Sequence, residues 1–395
     1  MTAAASIASL AAQRLRDRNP IYKEFFANES SRLAAACEEM AQRFLEGGRL
    51  LAFGRGVYAT DAQHVSVEFV HPVIVGKRAL PALDLSTVPL AGIAALVRER
   101  DIVMGFGPPE GDAEIARALE AARRAGAMTF ALPGTCGDYA VETFAAEPFF
   151  HQEMIEILYH TLWETVHVFF EHAELVSEAG QAAFLYPFLG GAKREAGAVV
   201  RDVAASICMK AADDARLRER AAQEEAGAMA GAAAAMRRAI RAGGKLILFG
   251  NGGSATDAND WALDCISPPP GMPPVPAISL AAEPAIVTAL ANDIGPDVIF
   301  LRQLIAHARP GDVAIAISTS GGSRNILAAL EEARKRNLTT VALLGYDGGE
   351  VLRRGLADHA IVVRSDYIPR IQEVQASIYH VLRELLSQET ENGAF

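Results

Sequence analysis

Short unbroken apolar runs alternate with longer amphipathic stretches along the chain. Leu50-Leu51-Ala52-Phe53 feeds the glycine-rich GRGVYATDAQH (54–64), and Leu246-Ile247-Leu248-Phe249 feeds GNGGSATDAND (250–260). Apolar runs this short, bounded by turn residues, read as buried strands, and the amphipathic stretches as helices on both faces of a parallel sheet. An offset of 196 residues relates Gly54 to Gly250, and Asp61 and Asp257 keep it. The pairing continues: 81–85 matches 276–280, and 101–106 matches 312–317. RALEAARRAGA (117–127) matches AALEEARKRNL (328–338), and the strands TFAL and TVAL lead to Gly134 and Gly345. A helical lead-in precedes each copy, 28–45 and 202–241, and each ends in a Gly-Gly pair, Gly47-Gly48 and Gly243-Gly244. A long helix closes each half. The pattern predicts an α/β fold built twice. Two tandem three-layer αβα domains with parallel sheets, flavodoxin-like but without a nucleotide, cover 1–172 and 199–395. A linker at 173–198 contains YPFLGGAKREAG.

Length agrees, since 395 residues fit two domains of about 150–200 residues each. The formal charge of −11 argues against a nucleic-acid partner, which calls for a basic stripe. An anionic ligand must then be held by local dipoles. Cys37, Cys136, Cys208 and Cys265 show no CxxC spacing, which fits a reducing compartment. The N-terminal MTAAASIASLAAQRLRDR reads as a helix rather than a signal peptide, and no run reaches the roughly 20 apolar residues of a membrane span. The expected location is cytoplasmic.

Two loops carry candidate chemistry. Gly250, Gly252 and Gly253 form a turn that lets backbone N–H groups approach an anion, and Asn251 and Ser254 add polar side chains. STSGGS (318–323) follows the run at 313–317 and offers hydroxyls from Ser318, Thr319, Ser320 and Ser323. Either loop alone could be a tight turn. Two such loops, each between a strand and a helix, point to a phosphate cradle.

GNGGSATDA, the Asn292-Asp293-Ile294-Gly295 segment, RPGDVAIAISTSGGS, GYDGGE and RIQEVQASIYH together resemble the sugar isomerase (SIS) domain, most closely its phosphoheptose isomerase branch. The resemblance spans most of the second half. The first half resembles the same domain more weakly. It keeps DAQH (61–64), Glu68 and HQEMIEILYH (151–160), but GFGPPEGD (105–112) stands where the serine loop belongs, and the Asn292-Asp293 equivalent is shortened away.

The resemblance implies an acid–base glutamate after the glycine loop and a histidine on the last helix. A histidine four residues before the glutamate and a glutamine eight before the terminal histidine complete a zinc site. The first half carries the whole set as His64, Glu68, Gln152 and His160. In the second half the positions are Asp260, Asp264, Gln372 and His380, which puts zinc there in question. Spacings of four and eight keep each pair on one helical face. His71, His151, His167 and His172 lack matching partners and read as surface or packing residues. Asp260 and Asp264 could equally be a solvated helix face.

The expected function is a sugar-phosphate aldose–ketose isomerase, acting on a substrate like sedoheptulose 7-phosphate through an enediol. Glu68 and Asp264 are the candidate bases, and His160 or His380 handles the oxygen proton. Asn251, Asp293 and Gln372 are hydroxyl contacts. Zinc is the one cofactor implied, and no nucleotide or nicotinamide is expected. Family members are similar in forming tetramers with interfacial sites. This implies a homodimer that rebuilds four domains, and a composite site that combines the cradle with groups of the first half. The competing class is a non-catalytic module that binds a sugar phosphate or a protein.

Overall fold

The computed structural model describes residues 3–74, 77–182 and 196–388. The first repeat runs α1 (Ala3–Leu45), β1 (Leu50–Gly54), α2 (Ala59–Val70), β2 (Ala82–Asp84), β3 (Ile102–Phe106), α3 (Ala113–Arg124), β4 (Met128–Leu132), β5 (Tyr139–Ala140) and α4 (Pro148–Ala182). The second begins with α5 (Ala196–Glu224) and α6 (Ala226–Arg241), then β6 (Leu246–Gly250), α7 (Gly253–Ile266) and β7 (Ala277–Ser279). It continues through α8 (Pro284–Asp293), α9 (Ile299–His307), β8 (Val313–Ser318), α10 (Arg324–Lys335), β9 (Thr339–Gly345), α11 (Gly349–Arg353), β10 (His359–Val363) and α12 (Ile368–Leu386). Each repeat forms a five-stranded, wholly parallel sheet, in the orders β2-β1-β3-β4-β5 and β7-β6-β8-β9-β10. The strand order is the same in both, and it is the doubly wound flavodoxin-like order.

The strands form because the apolar runs have both faces covered. All five residues of β1 and of β6 are buried. The flanking helices bury matching stripes, Ile115, Ala118, Leu119 and Ala122 on α3 and Ile326, Ala329, Leu330 and Ala333 on α10. Polar braces repeat as well. Arg49 pairs with buried Asp101 at 2.7 Å, and Lys245 with buried Asp312 at 2.6 Å. The N–H and hydroxyl of Thr129 donate to Asp138, as those of Thr340 do to Asp358. The deleted segment is visible too: a 3-10 turn, Leu90–Ala95, replaces α8 and α9.

The compact units do not divide at 172 and 199. One comprises Pro20–Asp213, the other Met1–Asn19 with Asp214–Phe395. The reason lies in the helices. Ala11, Ala12 and Leu15 of α1 join the core that contains Met229, Met236 and Trp261, whereas Tyr22 and Phe26 join the one that contains Trp163. Val203, Ala204, Ile207 and Ala211 of α5 belong to that latter core. The 196-residue offset maps Ile7, Ala8, Ala11 and Leu15 onto these four. Each repeat's core is thus completed by the helix that leads into the other repeat. Of the expected linker, 173–182 and 196–198 are helical, and 183–195 lies outside the described residues. Among the described residues no helix is long and apolar enough to cross a membrane.

Candidate active site

In an open parallel sheet, ligands bind beyond the carboxyl ends of the strands, where the strand order reverses. In the second repeat that point lies between β6 and β8, and both candidate loops leave from it. At Gly250 a Cβ would stand 2.3 Å from the Ser254 carbonyl, so only glycine permits the turn into α7. Gly252 caps α7 at φ 57°, with Gly253 and buried Ser254 in its first turn. Asn251 reaches across the crevice, and its amide exchanges hydrogen bonds of 3.0 and 2.8 Å with Asn325.

The serine loop is braced from behind. Ser318 Oγ accepts from Gly321 N at 3.1 Å, and Ser320 Oγ from Gly322 N at 3.3 Å. A Cβ on Gly321 would stand 2.3 Å from the Gly348 carbonyl, and Val351 N donates to Gly321 O at 2.9 Å. The GYDGGE segment therefore buttresses the cradle. Thr319 is half-buried and Ser320 exposed. Ser323 is the N-cap of α10, and its hydroxyl makes no cap hydrogen bond. The first N–H groups of α10 therefore have no side-chain cap, and a helix start of this kind suits an anion. Asp293 ends α8 on the surface, accepting from Asn292 Nδ2 at 2.8 Å. No hydrogen bond or ion pair joins it to the cradle among the described residues.

The first repeat has filled the same space with its own charges. Asp112 stands where Ser323 does, and it accepts from Glu114 N at 2.7 Å and Ile115 N at 3.1 Å. Arg55 and Glu114, at the positions of Asn251 and Asn325, form an ion pair, with Asp112 3.6 Å from Arg55. Carboxylates thus occupy the donors a phosphate would need. The sequence shows GFGPPEGD in place of the serine loop, but its self-capping shows only in the fold.

The acid–base candidates form two buried clusters. Between α7 and α12, His380 Nε2 lies 3.2 Å from Asp264 Oδ2 and 3.6 Å from Asp260 Oδ2. Tyr379 Oη donates to Asp260 Oδ2 at 2.7 Å. Burial, and next the neighbouring Asp260 charge, push the Asp264 carboxyl up to about 7. Asp260 and Asp264 are therefore not a solvated face. Gln372 is buried two turns before His380 on α12. Asp264 lies eleven residues beyond Gly253, roughly 16 Å of helix. Within this unit the cradle and the acid–base cluster are separate groups.

In the first repeat, His64 and Glu68 sit on α2 and Gln152 and His160 on α4, all buried. His64 Nε2 is 3.8 Å from Glu68 Oε1, and the His64 and His160 rings meet edge-on at 5.2 Å. Candidate ligand atoms of His64, Glu156 and His160 lie within 4.8 Å of one another, as do those of Asp260, Asp264 and His380. Two imidazoles and a carboxylate suit zinc. Glu156 was not a candidate from sequence, although it falls midway between Gln152 and His160 at four-residue steps. Tyr379 and Asn325 were also missed. His151 is a packing residue, bound through Nε2 to Gly107 O at 2.8 Å, and burial lowers its pKa to about 4. His167 bonds two carbonyls, and His71 is exposed. The His172 side chain lies outside the described residues.

Known proteins agree with this architecture. Residues 211–345 match the SIS domain family model. The phosphoheptose isomerase of Geobacter sp. (strain M21) is 45% identical over 152 residues, covering 38% of this chain and 78% of that protein. The phosphoheptose isomerase of Pelobacter propionicus is 45% identical over 161 residues, covering 40% and 84%. Over 93% of the chain, the fold matches the C-terminal domain of glucosamine-fructose-6-phosphate aminotransferase from Francisella tularensis. That match has a TM-score of 0.56 at 10% identity and covers 95% of that chain, so it speaks for fold alone. The chain belongs to the SIS-domain family, in its phosphoheptose isomerase branch.

Proposed function

We propose that the chain is an aldose–ketose isomerase of a phosphorylated sugar, converting sedoheptulose 7-phosphate to heptose 7-phosphate. The observation that carries this reading is the uncapped start of α10 at Ser323, flanked by hydroxyls at the switch point of the sheet. Dipoles and hydroxyls suit a phosphomonoester in an acidic protein. The kinship with phosphoheptose isomerases supplies the reaction class.

Isomerisation moves a proton between adjacent carbons through an enediol. The cradle holds the distant phosphate, and that remote binding energy orients the reacting end. Asp264 has the properties of the base, since burial and the neighbouring Asp260 charge raise its affinity for a proton. Asp264 returns that proton to the neighbouring carbon, while His380, 3.2 Å away, passes a second proton between the two sugar oxygens. Glu68 and His160 are the corresponding pair in the first repeat. A zinc ion held there through His64 and His160 would supply Lewis-acid polarisation.

The test is turnover of sedoheptulose 7-phosphate followed by NMR, with and without chelator. Asp264→Asn and Glu68→Gln, assayed separately, assign the base. The separation of Asp264 from the cradle favours one other reading, a sugar-phosphate sensor. That reading predicts thermal protection by the sugar phosphate without turnover. A homodimer supplying four repeats is the proposed assembly, with light scattering as its check.

A further inference from the structure

The closing helices of the two repeats differ at one interior position. On α4, Gln152, Glu156 and His160 follow at four-residue steps; on α12 the same steps read Gln372, Ala376 and His380. These steps put each trio on one helical face. Alanine serves at this position in α12, so packing alone does not call for a carboxylate in α4. Yet Glu156 is buried, 4% exposed, on the face it shares with Gln152 and His160. Its oxygen lies within 4.8 Å of ring nitrogens of His64 and His160, which are themselves within that distance of each other. Glu68, the ligand that the family pattern offers, is 3.8 Å from His64 Nε2 and stands outside this converging set.

We propose that the first repeat binds a divalent cation of the zinc class through His64, Glu156 and His160, leaving Glu68 unligated beside it. Two imidazole nitrogens and one carboxylate oxygen form a borderline-soft donor set, and three protein ligands leave one position open. With neutral imidazoles the set carries one negative charge, which a divalent ion more than balances. In a site where one glutamate both ligates and accepts a proton, the two tasks compete for the same lone pairs. A separate carboxylate for the metal removes that competition. The oxygen-rich cluster of the second repeat, Asp260, Asp264 and His380, has harder donors and is distinguished by variants of its own.

The proposal concerns donors and does not rest on the isomerase reading, because metal content is measured without substrate. The full-length protein is stripped with EDTA, reloaded with cobalt(II) or zinc, dialysed and analysed by elemental mass spectrometry and visible absorption. Wild type, Glu68→Gln and Asp264→Asn are expected to keep the same equivalent of ion and the same intense tetrahedral cobalt bands. Glu156→Gln is expected to lose one equivalent and those bands. Should Glu156→Gln fold poorly by circular dichroism, Glu156→Ala is the second variant, since it copies the residue α12 already carries. Retention of the ion by the folded Glu156 variants, its loss in Glu68→Gln, or no uptake by wild type would each overturn the assignment.

Discussion

Asp112 and Ser323 head the corresponding helices of the two repeats, and only Asp112 caps its own. The aspartate takes the N–H groups of Glu114 and Ile115, whereas the serine leaves the start of α10 free of a side-chain cap. At this position one helix start is satisfied by its own carboxylate and the other is open to an anion. Ser323→Asp should convert the second repeat to the first type. A cap of this kind stabilises by about 1 kcal/mol, so the thermal midpoint should rise slightly. Loss of charge-assisted hydrogen bonds to phosphate, with a like charge in their place, should raise KM by roughly a hundredfold or more. Calorimetry and initial rates on one preparation check both effects. A variant with unchanged KM would remove the phosphate from this cradle.

The reciprocal helix exchange has a local signature. Leu15 is fully buried, in the core built around Trp261 rather than the one around Trp163. These are the two tryptophans of the chain. In Trp163→Phe and Trp261→Phe backgrounds, each remaining indole reports on one compact unit. Leu15→Ala should destabilise by roughly 2–5 kcal/mol, and the transition reported by Trp261 should move more in denaturant. A larger shift in the Trp163 signal would contradict the division of the chain at Asn19.

The repeat and its parallel α/β fold were legible in the sequence, because short apolar runs before Gly54, Gly250 and Ser318 leave few alternatives. Helix membership was not. Ile7, Ala11 and Leu15 show the spacing of a buried face, but spacing says nothing about which core receives it. The boundaries at 172 and 199 followed sequence similarity, whereas the cores follow the continuity of α1 and α5. The sequence puts GFGPPEGD where the serine loop belongs, yet whether Asp112 would cap α3 depends on backbone angles at that one position. Glu156 escaped notice because the family pattern gives that position no role, although its spacing was visible.

Buried Asp264 gives the second unit a pH response of definite sign. Its carboxyl is pushed up to about 7 by burial and then by Asp260, so the folded chain binds the proton more tightly than the unfolded one. The resulting stability is complete below the unfolded carboxyl range, near 4, and is lost as pH rises through 7, on the order of 4 kcal/mol in all. In chelated protein, the Trp261 transition should weaken from pH 4.5 to 8, beyond the change seen in Asp264→Asn. Asp260→Asn removes a like charge and should reduce the effect. Equal pH dependence in wild type and Asp264→Asn would show that the carboxyl is already ionised when folded.

His151 gives the first unit the opposite response. Its Nε2–H donates to Gly107 O at 2.8 Å, and its Nδ1 is buried without a hydrogen-bond partner. Protonation would place a charge on Nδ1 where no acceptor waits, and burial accordingly lowers its pKa to about 4. A depressed histidine contributes stability that is complete above the unfolded value near 6.5. That stability is lost as pH falls through 4, on the order of 3 kcal/mol. The Trp163 transition should therefore weaken on acidification over the range in which the Asp264 contribution strengthens the Trp261 one. His151→Gln retains an N–H donor for Gly107 without a titrating ring, and it should flatten the Trp163 response between pH 6.5 and 4. Acid sensitivity that persists unchanged in this variant would assign the effect to other groups.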